Sequence, residues 1–218
     1  MTTDSVFLPV SLGEAIDKLT ILEIKQENIK DRRRNDVELE YNLLLERLGP
    51  HVGQHGALYN SMKKVNRLIW DYMDLLRDGN MNDQDYLALC RKTVDYNDIR
   101  FRIKNKINYA AGSALKEQKG YKINSVLIEI CEGPDTENFV APIRYYSFLY
   151  DQVIIQCGEH CGGLRDAFKD DPTIIFRIGV ASESAQFKAR FSFPKGHHSA
   201  EEILAIFRVD QKALEELL

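Results

Sequence analysis

The stretch GSALKEQKGYKINSVLIEIC, residues 112–131, divides the chain into two textures. Residues 112–122 are polar, carry two glycines and read as a connector. INSVLIEIC (123–131) is a short β-rich run. Before the connector, apolar residues recur at helical spacing. They predict helices over about 11–33, 36–49, 57–77 and 83–111, with Gly49-Pro50 as a breaker and HVGQHG (51–56) as a loop. After it, QVIIQC (152–157), TIIFRIG (173–179) and FKARFSF (187–193) read as further strands. Helical runs at 137–150 and 162–171 separate the first three strands, and 199–207 and 210–218 close the chain. Long helices with short connections favour an antiparallel bundle, and alternating strands and helices favour a parallel sheet with helical crossovers. The expected fold is therefore a multidomain α+β chain. A helical bundle over 1–121 precedes a small three-layer, Rossmann-like α/β domain with a short parallel sheet over 122–218.

Composition narrows the function classes. The chain has 218 residues, is 44% hydrophobic and 28% charged, and carries a net charge of −4. These values suit a soluble globular protein. No apolar run approaches the roughly 20 residues of a membrane helix, and MTTDSVFLPV lacks the pattern of a signal peptide. A cytoplasmic protein with four free thiols (Cys90, Cys131, Cys157, Cys161) is the expectation. The first 121 residues hold 19 basic and 18 acidic side chains, so nucleic acid is not the expected partner. Arg32-Arg33-Arg34, beside Asp31 and Asp36, reads as a solvated helix end.

The first helix breaks its own pattern. Ser11 and Glu14 have capping-box spacing, and Leu12, Ala15, Ile16, Leu19 and Leu22 make an apolar face. Glu23 falls on that face, while Ile21 and Ile24 fall nearly opposite. In the fourth helix, Asn97, Arg100, Lys104 and Asn108 form a polar line on the side of Tyr86, Leu89 and Phe101. A buried charge needs a partner, so Glu23 is expected to pair with Arg100 or Lys104 where the two helices touch. The functional alternative is an anion pocket of Lys18, Arg100 and Lys104 for a phosphate or sugar phosphate. Ile21 and Ile24 ask for cover from the α/β domain or a second copy, and a homodimer is expected.

Other candidates lie in the second half. In CGEHCGG (157–163), Cys157, His160 and Cys161 suggest zinc, but their spacing departs from a closed four-ligand site, and no metal or cofactor is expected. Gly162 and Gly163, before a helix, offer a place for a phosphate or hydroxyl-rich ligand. Glu132 and Asp135 follow the first strand, where open α/β sheets bind ligands. Asp135 reads as a helix cap or as a catalytic base. Trp70, among Leu68, Ile69 and Tyr72, reads as core packing.

SLGEAIDKLTILEIK (11–25), VNRLIWDYMDLLR (65–77), YNDIRFRIKNKIN (96–108) and GSALKEQKGY (112–121) together resemble an uncharacterised helical family of bacteria and viruses, often found near surface-polysaccharide genes. Met73 stands where that family's pattern has an acid. Residues 122–180 resemble the first Rossmann-like half of heptosyltransferase-type glycosyltransferases. Aligning Arg144 with that family's arginine puts Asp135 on its aspartate, with Pro134 in place of a glycine. The resemblances imply an accessory or interaction protein of glycan or surface-polysaccharide synthesis without complete catalytic machinery, partnered by a glycosyltransferase. The alternative they imply is a glycosyltransferase-like or sugar-nucleotide-binding protein acting through the α/β domain.

Overall fold

A computed structural model describes residues 8–131, 136–158, 161–178 and 187–218. Four helices come first: α1 (Leu12–Asn28), α2 (Arg34–Gln54), α3 (Gly56–Asp78) and α4 (Asp83–Ala110). Then follow β1 (Ser125–Ile130), α5 (Thr136–Leu149), β2 (Gln152–Cys157), α6 (Gly162–Ala167), β3 (Ile174–Arg177), β4 (Ala189–Phe193), α7 (Ala200–Phe207) and α8 (Gln211–Leu217). The four strands form a parallel sheet in the order β3-β2-β1-β4. The expected class, helices followed by a small α/β unit with a parallel sheet, is what the chain adopts.

Two boundaries differ most from expectation. Helix α1 ends at Asn28 rather than near residue 33, because Ile29 turns extended and Asp31 accepts from the Arg33 backbone N–H at 2.9 Å. The arginine run thus lies on an exposed turn and the start of α2. Helix α2 continues through Pro50 to Gln54, so residues 51–54 are helical and only His55 separates α2 from α3. Proline removes one backbone donor. However, Leu48 and Val52, one turn apart, pack against the bundle core and carry the helix past it. At the end of α3, Gly79 takes the left-handed conformation (φ 71°) that stops the helix, and Asn82 caps α4 by accepting from the Asp85 N–H.

The broken pattern of the first helix has a simple resolution. Helix α1 packs against α2, α3 and α4, so it is buried on several sides. Ile24 is 1% exposed within the single chain and needs no second copy to cover it. Ile16, Leu19, Met62, Val65, Ile103 and Ile107 fill the bundle core, and Phe148 of α5 and Leu217 of α8 join them. A second cluster fills one face of the sheet, where Val126, Ile128, Val153, Ile155, Phe191 and Phe193 meet α5, α6, α7 and α8.

The bundle meets the sheet at the strands' N-terminal edge. Arg102 of α4 reaches Asp151, just before β2, at 2.7 Å, and Asp151 also accepts from the Asn124 N–H before β1. Lys106, one turn further along α4, reaches Asp171 and Thr173, just before β3, both at 2.7 Å. Two cations one helical turn apart thus face two strand starts.

Candidate functional site

Three places hold the polar side chains singled out above. The first is the contact between α1 and α4. Asp17, 1% exposed, takes a bidentate pair of hydrogen bonds from Arg100 at 2.7 and 2.5 Å. Asn66 of α3 donates to Asp17 and to Thr20 Oγ1, both at 2.9 Å. Lys104 lies between Glu14 at 2.9 Å and Glu117 at 2.5 Å. Burial pulls the Arg100 and Lys104 pKa values down, but the facing acids outweigh it and hold both above their ordinary values. Asn108 accepts from the Gly13 N–H at 2.7 Å, and a Cβ on Gly13 would collide with the Lys104 carbonyl oxygen. Ser11 accepts from Glu14 N–H, as its capping spacing suggests, but the Glu14 carboxylate goes to Lys104.

The acids facing Arg100 and Lys104 are therefore Asp17, Glu14 and Glu117, and the sequence pairing with Glu23 is corrected. Glu23 pairs with Lys63 of α3 at 3.0 Å and accepts from Tyr41 of α2 at 3.0 Å. Burial alone would raise its pKa; Tyr59, Lys63 and Tyr41 lower it instead. Lys18 is exposed and pairs with Glu40 at 2.6 Å. The expected basic pocket of Lys18, Arg100 and Lys104 is not assembled, because each cation faces its own acid. Asn97 is exposed and takes no part in the seam. Sequence reasoning missed Asp17 because it looked for one acid opposite the cations. The spacing Glu14–Asp17, both within two turns of Gly13, carried the signal.

The second place is the strands' C-terminal edge. Glu132 and Asp135, with His160, lie outside the described residues. Gly162 is exposed with open space at its Cβ position, whereas Gly163 is pressed against α5, 2.5 Å from Thr136 Oγ1 if given a Cβ. Gly163 thus serves the packing of α6 on α5. Cys157 and Cys161 are buried side by side in the sheet core, and burial with the Cys157 contact pushes the Cys161 thiol up to about 12. Such a thiol is a core hydrophobe at neutral pH.

The third place is the seam between α4 and the sheet, which the sequence did not reveal. Lys106 is 5% exposed there, and two cavities of about 250 and 240 Å³ flank it. Burial lowers the Lys106 pKa, with Arg144 and Arg102 adding to it and Asp171 opposing. For Asp171 burial would raise the pKa, but Lys106 and Thr173 hold it below its ordinary value.

With this geometry in view, a family model described as a family of unknown function (DUF6165) matches residues 7–130. The chain belongs to the DUF6165 family. The matched segment contains the whole α1–α4 seam and runs through β1. No match was found among curated proteins or among solved structures. Among the described residues, no helix is long and apolar enough to cross a membrane.

Proposed function

We propose that this DUF6165 member is an interaction protein that works as a homodimer through the α3–α4 hairpin. The observation that carries the reading is the far half of that hairpin. Between Arg67 and Asp95 no residue is buried, yet Leu75, Leu87 and Val94 are 52%, 55% and 62% exposed. Trp70, expected in the core, is half-buried on this arm and lies outside both core clusters. Exposed apolar side chains on both helices of one arm suit a protein contact. A second copy is the occupant that the charges favour. The tip carries exposed Asp78, Asp83 and Asp85 beside the Asp74–Arg77 pair, and the stem carries Arg91 and Lys92 beside Asp71 and Asp95, so the tip is the more acidic end. In a two-fold, antiparallel pairing each acidic tip meets the other copy's stem, and four helices enclose the leucines. The assignment to glycan or surface-polysaccharide synthesis in the cytoplasm, as an accessory to a glycosyltransferase, rests on the family resemblance.

Sedimentation velocity tests the dimer. The wild-type chain is expected to sediment as a dimer at micromolar concentration, and Leu87→Glu with Val94→Glu as a folded monomer. A monomeric wild type would remove the reading. The second reading, a sugar-nucleotide binder acting through the α/β unit, is supported by one feature. The bundle's ion pairs meet the strands' N-terminal edge, opposite to the edge where open parallel sheets hold ligands. A panel of nucleotide sugars in a thermal-shift assay tests it, since a ligand at 100 times its Kd stabilises by about 2.7 kcal/mol. No shift across the panel would exclude it.

A further inference from the structure

Lys106 and Ser61 both line the seam cavity of about 250 Å³ with bonding capacity in hand. An ammonium group has three hydrogens. Those of Lys106 meet Asp171 Oδ2 and Thr173 Oγ1 at 2.7 Å each, and the third has no oxygen or nitrogen acceptor among the described residues, the Phe148 ring centroid lying 5.9 Å away. Ser61 of α3 is 3% exposed, lines the cavity, and its hydroxyl makes no hydrogen bond among the described residues. A hydroxyl that opens onto the cavity can donate to or accept from an occupant. Arg144 of α5 stands at the cavity's rim, exposed, with no ion pair among the described residues. Three donors from three helices therefore converge on one space of about 250 Å³.

From this convergence we infer that the cavity between α3, α4 and α5 binds a small organic monoanion, a carboxylate on a short apolar or aromatic body. The charges select the head. Asp171 already balances Lys106, which leaves Arg144 as a lining cation with no ion pair among the described residues, so one negative charge is matched, and Asp170 at the rim disfavours a second. The donor types fit as well: the Arg144 fork and the Ser61 hydroxyl match the two oxygens of a carboxylate. The walls select the body. Leu58, Ala110, Phe148 and Phe168 line the remainder and offer no hydrogen bonds to a sugar's hydroxyls. The site lies at the strands' N-terminal edge, away from the edge considered for nucleotide sugars, and independent of the dimer arm. Because α3, α4 and α5 all contribute to it, an occupant would tie the bundle to the α/β unit.

Isothermal titration of the full chain with benzoate, hexanoate and inorganic phosphate tests the inference. The expected result is binding of benzoate or hexanoate, with phosphate weaker. Arg144→Gln changes only an exposed side chain and should weaken the carboxylates roughly tenfold, the loss of one charge-assisted contact. Ala110→Leu, whose side chain would fill the cavity, should abolish binding, and a far-ultraviolet spectrum and melt like those of wild type would show that the chain still folds. Overturning results are no heat with either carboxylate, stronger binding of phosphate, or titrations of both variants that match wild type.

Discussion

Replacing Gly13 by alanine tests how α1 sits on α4. An added Cβ would collide with the Lys104 carbonyl oxygen and lie 2.9 Å from Asn108 Oδ1. The clash is with backbone, so α1 must move away as a unit. Overpacking of this kind costs about 1–3 kcal/mol. The shift also breaks the buried bond from Gly13 N–H to Asn108, which adds about 1–3 kcal/mol. Alanine's better helix propensity returns at most about 1 kcal/mol. The net expectation is a loss of about 2–4 kcal/mol in urea unfolding, and a fall in Tm of roughly 5–15 °C for a chain of this size. Gly162→Ala is the matched control, since nothing lies within 4 Å of its Cβ position, and it should leave stability unchanged. A Gly13→Ala protein as stable as wild type would refute the close approach of the two helices.

Three further outcomes follow from the polar contacts. Asp17→Ala should cost about 3–5 kcal/mol, because Arg100 keeps its charge without a partner, while Glu23→Gln, at a half-buried site, should cost about 1–2 kcal/mol; urea titrations rank them. The folded Asp171 has a lowered pKa, so its contribution is complete above the unfolded carboxylate value near 4 and is lost as pH falls through the folded value. Asp171→Asn should therefore be less stable at pH 7 and lose less on acidification, and parallel acid limbs for the two proteins would contradict this. Cys161, with its thiol pushed up to about 12, should resist iodoacetamide in the native protein while exposed Cys131 reacts, as peptide mass spectrometry would show; equal labelling rates would contradict the burial.

The sequence carried the elements further than it carried their partners. Strand 152–157 and helix 199–207 were legible because a β-rich run and apolar helical spacing are local signals; the structure adds a Ser199–Glu202 capping box with both reciprocal bonds formed. The passage of α2 through Pro50 was not legible, because the leucine and valine contacts that hold it are tertiary. The polar face of α4 was visible at Arg100, Lys104 and Asn108, but its partners were not. A helical wheel tells which side faces inward and not which neighbour stands there. Glu23 was misread for that reason: α1 faces α2, α3 and α4 in different directions. Arg102 and Lys106 lie on yet another side of α4, and only the three-dimensional position of Asp151 and Asp171 gives them a role.

Hydrogen exchange at residues 70–94, recorded at a high and a low protein concentration, tests the dimer arm most directly. If two copies pair through α3 and α4, amide protection across Trp70–Val94 should rise with concentration, while the seam helix around Asp17 stays unchanged. Protection of the arm that is the same at both concentrations would contradict the pairing.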